Sequence, residues 1–225
     1  MKIDILTLFP EMFEPLKTSL LGKAQDKGVL EINLINIRDY SADKHKKCDD
    51  YPFGGGCGML MTPQPIASAF EAIEGYKTAH KIFMSPRGGT FVQSRAKELS
   101  QFDHLIILCG HYEGVDQRII DLFIDEEISI GDYVLTGGEI PAMAVVDSVV
   151  RLIPGVIGDI NSTEDESFSA GTLEYPQYTR PQTFMGLSVP DVLISGDHGK
   201  VDAWRKEQAR LITAARRPEL LKKVK

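Results

Sequence analysis

Three glycine-rich turns are the clearest candidates for chemistry in this sequence. Two of them end apolar segments, LIILCG at 105–110 and EISIGDYVLTGG at 127–138, and the third, SPRGG at Ser85–Gly89, follows the apolar KIFM. Glycine has no Cβ, so the backbone of such turns can approach a ligand closely. Any one of them could be an ordinary turn of an α/β sheet, but together they predict a binding site made largely of main-chain groups.

A fourth glycine-rich stretch, DDYPFGGGCGMLM, covers residues 49–61. It is not a P-loop, because no Lys-Ser or Lys-Thr pair follows its last glycine, and no GxGxxG follows the first predicted strand, which argues against a dinucleotide-binding fold. The stretch either touches a ligand or packs tightly on its own sheet. Asp49 and Asp50 at its start could cap, face solvent, or accept hydrogen bonds from a base edge.

The elements that must position these turns follow from apolar periodicity. The predicted strands are Lys2–Phe9, Leu30–Ile37, His80–Met84, Leu105–Cys109 and Ile128–Leu135. The predicted helices are Glu11–Lys27, Pro63–Gly75, Gln93–Leu99, Asp116–Phe123 and Ile140–Ile153. This alternation predicts an α/β fold with a mostly parallel sheet flanked by helices. Ligands of such sheets bind beyond the carboxyl ends of the strands, where the glycine turns fall.

The pattern changes after Pro154, where periodicity fades and Gly, Pro, Ser and Thr become frequent. We therefore expect an α/β domain at 1–158, a flexible linker at 159–172 and a small helical domain at 173–225. The stretch LSVPDVLISGDHGKV predicts one short strand or helix, and helices follow from Val201. Their expected small core is Trp204, Leu211, Ile212, Leu220 and Leu221.

Charge is distributed unevenly along the chain. The 225 residues carry a net charge of −7, but residues 200–225 hold nine Lys or Arg against three Asp or Glu, a local +6. A basic segment on an acidic body is typical of a surface that binds a polyanion. No apolar run reaches the roughly 20 residues of a membrane span, and no signal peptide is evident, so we expect no membrane association. The three cysteines lack CxxC spacing, which indicates reduced thiols in a cytoplasm. The five histidines are scattered and none has metal-ligand spacing with a cysteine, so we assign no metal-binding residues.

Seven motifs together carry a family resemblance: DDYPFGGGCGM, SPRG, CGHYEGVDQR, IGDYVLTGGE, RLIPGV, DESFS and YTRP. They resemble the bacterial tRNA (guanine-N1)-methyltransferases over nearly the whole chain and in the same order. This family belongs to the SPOUT class, so the resemblance implies a C-terminal trefoil knot in the α/β domain. Knots are rare in protein chains, and nothing in the periodicity indicates one.

The resemblance implies S-adenosyl-L-methionine as cofactor, bound against the three glycine turns. The implied contacts are Phe83, Pro86, Gly110, Tyr112, Glu113, Ile130, Gly131, Tyr133, Leu135, Gly137 and Gly138. The implied substrate is guanosine at tRNA position 37, preceded by another guanosine. Magnesium is implied for transfer, without assigned ligands, and the enzyme is expected to be a homodimer with the apolar 140–153 helix as a candidate interface element.

The catalytic residues are also implied by the resemblance. Arg151 matches the family arginine assigned to the purine oxygen, although it also reads as an ordinary arginine at a helix end. The family usually has Asp before the Ser-Phe pair, and here that position is Glu166, so Glu166 is the expected base and Asp165 its rival. Expected RNA contacts are Asp49, Gly58, Ser167, Lys200, Arg205, Arg210 and Arg216. Two alternatives remain: a SPOUT enzyme acting on another RNA, and a noncatalytic RNA-binding protein that has kept the fold.

Overall fold

A five-stranded parallel sheet organises the first of the two units into which the chain divides, Met1–Gly158 and Asp159–Lys225. The structure is a computed structural model that describes residues 1–157, 166–169 and 171–222. The strands of the first unit are β1 Lys2–Thr7, β2 Glu31–Asn36, β3 Asp49–Asp50, β4 Leu60–Met61, β5 His80–Thr90, β6 His104–Cys109 and β7 Glu126–Ser129. Its α-helices are α1 Ser19–Asp26, α2 Pro63–Glu71, α3 Gln93–Leu99, α4 Gln117–Phe123 and α5 Glu139–Val150.

The main sheet has the order β2-β1-β6-β5-β7, and every neighbouring pair is parallel. Side chains alternate across it, so Ile3 and Ile5 of β1 enter one core while Leu6 enters the other. Helices α1, α3 and α5 cover the first face, and α2 and α4 cover the second. The predicted α/β class with a mostly parallel sheet flanked by helices is therefore confirmed.

The prediction of a single helix over Glu11–Lys27 is wrong. The segment forms a 3₁₀ helix at Pro10–Lys17 and then α1, separated by Thr18 with φ −114° and ψ 170°. Pro15 lies inside the 3₁₀ helix. Proline has no N–H to donate and disfavours α conformation in the residue before it, so a continuous α-helix cannot form here. Gly28, with φ +68°, ends the second helix as expected.

Two strand boundaries also differ from the prediction. The strand expected at Ile128–Leu135 ends at Ser129, because the Ser129 hydroxyl bonds the backbone of Gly131 and turns the chain. The strand expected at His80–Met84 extends to Thr90, with a register shift between Met84 and Gly89. Gly88 permits this, because a Cβ there would overlap the backbone of Glu127 on β7.

The predicted helix Ile140–Ile153 is observed as α5, Glu139–Val150. Its buried positions include Val145, Val146, Val149 and Val150, which pack in the core of the first face.

Within the described ranges, no helix combines the length and apolar character that crossing a membrane requires.

The second unit contains a two-stranded hairpin, β8 Thr183–Phe184 and β9 Leu187–Ser188, and the helices α6 Asp191–Ile194, α7 His198–Arg216 and α8 Pro218–Leu221. The expected small core is only partly formed. Trp204 and Ile212 are half-buried, but Leu211 is 44% exposed, so its assignment to the core is wrong. The buried position of α7 is instead Thr213, whose hydroxyl accepts a hydrogen bond from the Leu173 N–H at 2.8 Å.

A charged network lies at the amino end of the sheet. Glu126 of β7 bonds His80 of β5 at 2.6 Å and also accepts from Arg95 of α3, while the His80 ring stacks on Phe102 with centroids 4.4 Å apart. Burial alone would raise the pKa of the Glu126 carboxyl, but the hydrogen bonds from His80 and Arg95 outweigh it and lower that pKa. The network joins β5, β7 and α3 at the end of the sheet opposite the glycine turns.

Candidate active site

In chain order, the first glycine turn covers residues 83–89, the second 110–114 and the third 130–138. The three turns meet at one cavity of about 220 Å³ at the carboxyl ends of β5, β6 and β7. Every residue that the sequence predicted to contact a cofactor lines this cavity. The convergence follows from strand order, because β5 lies between β6 and β7 and all three run in the same direction. This is the edge at which parallel α/β sheets bind ligands.

Glycine is required where the third turn meets the end of β6. The Gly138 N–H donates to the Gly110 carbonyl at 2.8 Å, and a Cβ on Gly138 would lie 2.8 Å from Cys109 Cα. A Cβ on Gly110 would lie 2.9 Å from the Phe83 ring of the first turn. Backbone and ring therefore pack with no room for side chains, and the cavity wall is largely main chain.

The cavity lining is mostly apolar or aromatic. Phe83 is buried beneath it, while Tyr112, Tyr133 and Leu135 are 41%, 56% and 37% exposed. Among the described residues that line the cavity, Glu113 is the one with an acidic side chain. Such a site suits a flat, largely uncharged ring system whose polar edges are read by backbone N–H and C=O groups.

His111 lines the same cavity and was missed by the sequence analysis, although it stands between the predicted contacts Gly110 and Tyr112. Its ring lies between Phe9 and Tyr112, with centroid distances of 4.8 and 4.9 Å. Within the described part of the chain, His111 Nδ1 is the buried side-chain nitrogen or oxygen that lacks a hydrogen-bond partner. A buried polar atom in this position is expected to find a partner in a ligand or a water.

A buried pair supports the third turn from behind. The Thr7 hydroxyl at the end of β1 donates to Glu139 Oε1 at 2.9 Å, and both residues are at most 1% exposed. Glu139 is the first residue of α5, where a carboxylate interacts favourably with the positive end of the helix dipole. A Cβ on Gly137 would meet both Glu139 Oε2 and His111 Nδ1, so the buried carboxylate and the imidazole flank the same point of the turn.

The glycine-rich stretch at 49–61 forms a hairpin closed by β3 and β4. It joins the second turn of the cavity: the Glu113 N–H donates to Met59 O at 3.0 Å, and the Met61 N–H donates to Gly114 O at 2.9 Å. Gly58, with φ +79°, lies against the Glu113 side chain so closely that a Cβ would overlap it. The predicted RNA contact Gly58 therefore adjoins the cavity wall, while Asp49 pairs with Met61 in the hairpin.

The predicted catalytic residues fall in both units. Arg151 is half-buried in the first unit, directly after α5, and its N–H donates to Asp147 O at 3.2 Å. Glu166 is half-buried in the second unit, in a turn where its carbonyl accepts from the Ser169 N–H at 3.2 Å. The hydroxyl of Ser167 accepts from the Glu174 N–H at 3.0 Å. Asp165, the rival base, lies outside the described residues.

The predicted RNA-binding cations of α7 are mostly paired within their own helix. Lys200 pairs with Asp197 at 3.0 Å, Arg205 with Asp202 at 3.9 Å, and Arg210 with Glu207 at 2.8 Å. Arg216 is exposed, and the ion pairs among the described residues of this segment do not include it. Exposed pairs of this kind contribute little, so these cations can exchange their partners for phosphate at small cost.

Residues 1–157, 166–169 and 171–222 hold no group of three or more His, Cys, Asp and Glu arranged to bind a metal ion. The site therefore rests on main-chain groups, apolar side chains, one carboxylate and one imidazole among its described residues.

Fold and site together define an α/β protein with a cavity at the carboxyl edge of its parallel sheet, the edge at which proteins of this class bind ligands. The family model for tRNA (Guanine-1)-methyltransferase TrmD matches residues 1–223, and the chain belongs to this family. The resemblance seen in the motifs is confirmed.

Curated relatives match over nearly their full length. The chain is 59% identical to the tRNA (guanine-N(1)-)-methyltransferase of Carboxydothermus hydrogenoformans over 223 residues, which cover 99% of this chain and 88% of the relative. It is 56% identical to the protein of the same name from Clostridium perfringens strain SM101, covering 100% of this chain and 95% of the relative. The protein of that name from Staphylococcus carnosus is 54% identical over 99% of this chain and 91% of its own length.

Proposed function

We propose that this protein transfers the methyl group of S-adenosyl-L-methionine to N1 of guanosine 37 in tRNA. Membership of the family and the full-length relatives named for tRNA guanine-N1 methylation support the activity. The observation that carries the cofactor assignment is the single cavity into which β5, β6 and β7 bring all three glycine turns.

The cavity residues fit this cofactor. The largely main-chain lining of the three glycine turns supports recognition of an adenine edge by backbone groups, and the Phe83 ring closes the floor below Gly110. His111 Nδ1 is buried in the wall without a hydrogen-bond partner among the described residues. When bound, the cofactor supplies an electrophilic methyl group on sulfur.

The chain must then make guanine N1 nucleophilic. Guanine N1 carries a proton near neutral pH, so a general base has to remove it. Negative charge builds on O6 as that proton leaves, and it is neutralised when N1 accepts the methyl group. We assign proton removal to Glu166, which occupies the family's Asp position, and keep Asp165 as the rival. We assign stabilisation of O6 to the guanidinium of Arg151. The guanosine must leave its stack to reach the cavity.

Further properties of the family are proposed for this chain on the same basis. These are a trefoil knot within residues 1–158, a linker at 159–172, a tRNA-binding domain at 173–225, a homodimer whose site combines both chains, magnesium dependence and a cytoplasmic location. The close packing of Gly138 on the end of β6 supports the knot, because the segment after β7 has to cross the end of β5, which lies between β7 and β6, to reach it.

The test is methylation of an unmodified tRNA that carries guanosines at positions 36 and 37, with labelled cofactor and magnesium. We expect label at N1 of the second guanosine, and Glu166→Ala should abolish turnover while cofactor affinity stays near that of the wild type. Full activity of Glu166→Ala, with loss in Asp165→Ala, would transfer the role to Asp165. Tight binding of cofactor and tRNA without transfer by the wild type would instead identify a noncatalytic RNA-binding protein, the alternative that the Glu166 departure favours.

A further inference from the structure

Two aromatic side chains stand in solvent on the loop between β3 and β4. Tyr51 is 77% exposed and Phe53 is 102% exposed. Gly54, Gly55 and Gly56 follow directly with positive φ angles and offer no side chains that could cover the rings. Aromatic rings are usually at least half-buried, and exposed apolar side chains close together commonly mark a binding surface.

This aromatic loop is anchored to the wall of the cavity. Besides the bonds of Glu113 and Met61 described above, the Asp116 N–H donates to Met61 O at 3.1 Å, so the end of the hairpin is held along residues 113–116. At the other end, the Thr62 N–H donates to Cys48 O at 2.8 Å. The rings are therefore carried by a loop fixed at its base beside the site where we place methyl transfer.

A basic turn precedes the aromatic loop and is held in place as well. Lys44, His45, Lys46 and Lys47 are all exposed. The Asp43 carboxylate accepts from the His45 N–H at 2.7 Å, and the Ser41 hydroxyl donates to the Lys47 carbonyl at 2.6 Å.

The cations of the turn are available to a partner. Lys46 pairs with Asp39 at 2.6 Å and Lys47 with Asp50 at 3.7 Å, while Lys44 makes no ion pair with a described residue. The lysine side chains of both pairs are more than half exposed, so water screens these interactions and phosphate can replace the carboxylates.

We propose that residues 44–53 form a contact surface for single-stranded RNA beside the cavity. Tyr51 and Phe53 stack on unpaired bases next to the target guanosine, and the basic turn at 44–47 binds phosphates of the same strand. Aromatic side chains that stack on bases, together with nearby cations that contact the backbone, are the usual means of holding unpaired nucleotides. The proposal rests on the proposed function, because it takes the RNA substrate from there. It adds Tyr51, Phe53 and the basic turn to Asp49 and Gly58, the RNA contacts that the resemblance implies in this stretch.

The charge of this surface favours RNA over a protein partner. Protein interfaces are depleted in lysine, whereas three lysines and a histidine are consecutive here at 44–47. Cys48, Asp49 and Asp50 separate them from Tyr51, so residues 44–53 carry three lysines against two aspartates, a net +1. A second copy of this acidic chain is the competing occupant, and it is an outcome of the test.

The first experiment removes the rings. Tyr51→Ala/Phe53→Ala should weaken binding of unmodified tRNA about 5- to 150-fold per lost stack, from the measured range for base–aromatic stacking, while S-adenosyl-L-methionine affinity stays unchanged. Phe53→Tyr keeps a ring and should bind like the wild type. Leu122→Ala is the matched control, because Leu122 of α4 is 76% exposed and lies outside the loop. Fluorescence anisotropy reports tRNA affinity and calorimetry reports cofactor affinity.

The second experiment addresses the turn. Lys44→Ala should reduce the slope of log K against log salt by about 0.7, the value for one lost phosphate contact on a single strand. Lys97→Ala on α3, which covers the other face of the sheet, should leave the slope unchanged.

The outcomes separate this inference from the proposed function. Wild-type tRNA affinity in the Tyr51→Ala/Phe53→Ala variant overturns the inference, even when the wild type methylates tRNA normally. Altered sedimentation with unchanged tRNA affinity overturns it too, and identifies the surface as a contact between copies of the chain. Failure of the wild type to methylate any tRNA, with RNA binding still dependent on the rings, overturns the proposed function and leaves the RNA surface standing.

Discussion

Gly138→Ala should disturb the cavity without changing any polar group. The native φ of −83° and ψ of −4° suit alanine, so the backbone conformation itself adds no strain. The added Cβ, however, would lie 2.8 Å from Cys109 Cα and 2.9 Å from Gly110 N. Both are backbone atoms, so no side-chain rotation can relieve the overlap.

The size of the effect follows from this contact. Ordinary van der Waals contact begins at 3.4 Å, so the segment before α5 has to move by about 0.6 Å and stretch the 2.8 Å bond from Gly138 N–H to Gly110 O. Overpacking of this kind typically costs about 1–3 kcal/mol. If the wall of the cavity moves to make room for the alanine side chain, the cost appears in cofactor binding, as a roughly 5- to 150-fold loss of affinity. If the wall holds, it appears as a fall in melting temperature of about 2–12 °C for a chain of this size.

The assay measures both quantities, by calorimetry with S-adenosyl-L-methionine and by thermal unfolding without it. Gly89→Ala is the control, because Gly89 also lies in a glycine turn but a Cβ there would meet nothing within 4 Å. We expect the control to match the wild type in both measurements. If Gly138→Ala also matched the wild type in both, the claim that this wall depends on backbone contact would be refuted.

Three further predictions concern the rest of the first unit. Burial opposes the charged form of Glu126, but its hydrogen bonds hold the pKa of the carboxyl below the ordinary 4.5. The stability that the ionised carboxylate contributes is therefore present above pH 4.5 and is lost as the pH falls through the lowered pKa. Glu126→Gln should thus be less stable at pH 7 and lose less stability than the wild type between pH 7 and pH 3 in urea unfolding; a parallel loss in both would contradict the charged contact with Arg95. Of the three cysteines only Cys57 is exposed, so a thiol reagent should modify one thiol quickly in the native protein and the other two only on unfolding. Thr7→Val leaves the buried Glu139 carboxylate without its hydroxyl donor and should lower the free energy of unfolding by about 1–3 kcal/mol, whereas Thr7→Ser keeps the bond and should be nearly neutral.

Local pattern was sufficient for most elements of the sheet. Alternating apolar residues located β1 and β2, and a continuous apolar run located β6, each to within two residues. Helix α3 was predicted at its observed limits, Gln93–Leu99. These features depend on the spacing of side chains along a short segment, which the sequence displays directly.

Other boundaries depended on interactions that the spacing does not contain. The residues after Ser129 are as apolar as those before it, yet the bond between the Ser129 hydroxyl and Gly131 ends β7 there. Leu211 has the spacing of a core residue but lies exposed, because Thr213 faces inward and receives the N–H of Leu173. In both cases a polar contact outweighed the preference that apolar periodicity predicts.

The cavity, too, was predicted partly from local sequence and was completed only by tertiary packing. The sequence alone identified the three glycine turns, since glycine after an apolar strand is a local signal, and its motifs carried the family. Only the strand order β2-β1-β6-β5-β7 decided that the turns meet, because neighbours in a sheet are chosen by contacts between distant segments. The position of His111 between two predicted contacts in the sequence was a local signal for the wall, but only the tertiary packing placed its ring against Phe9.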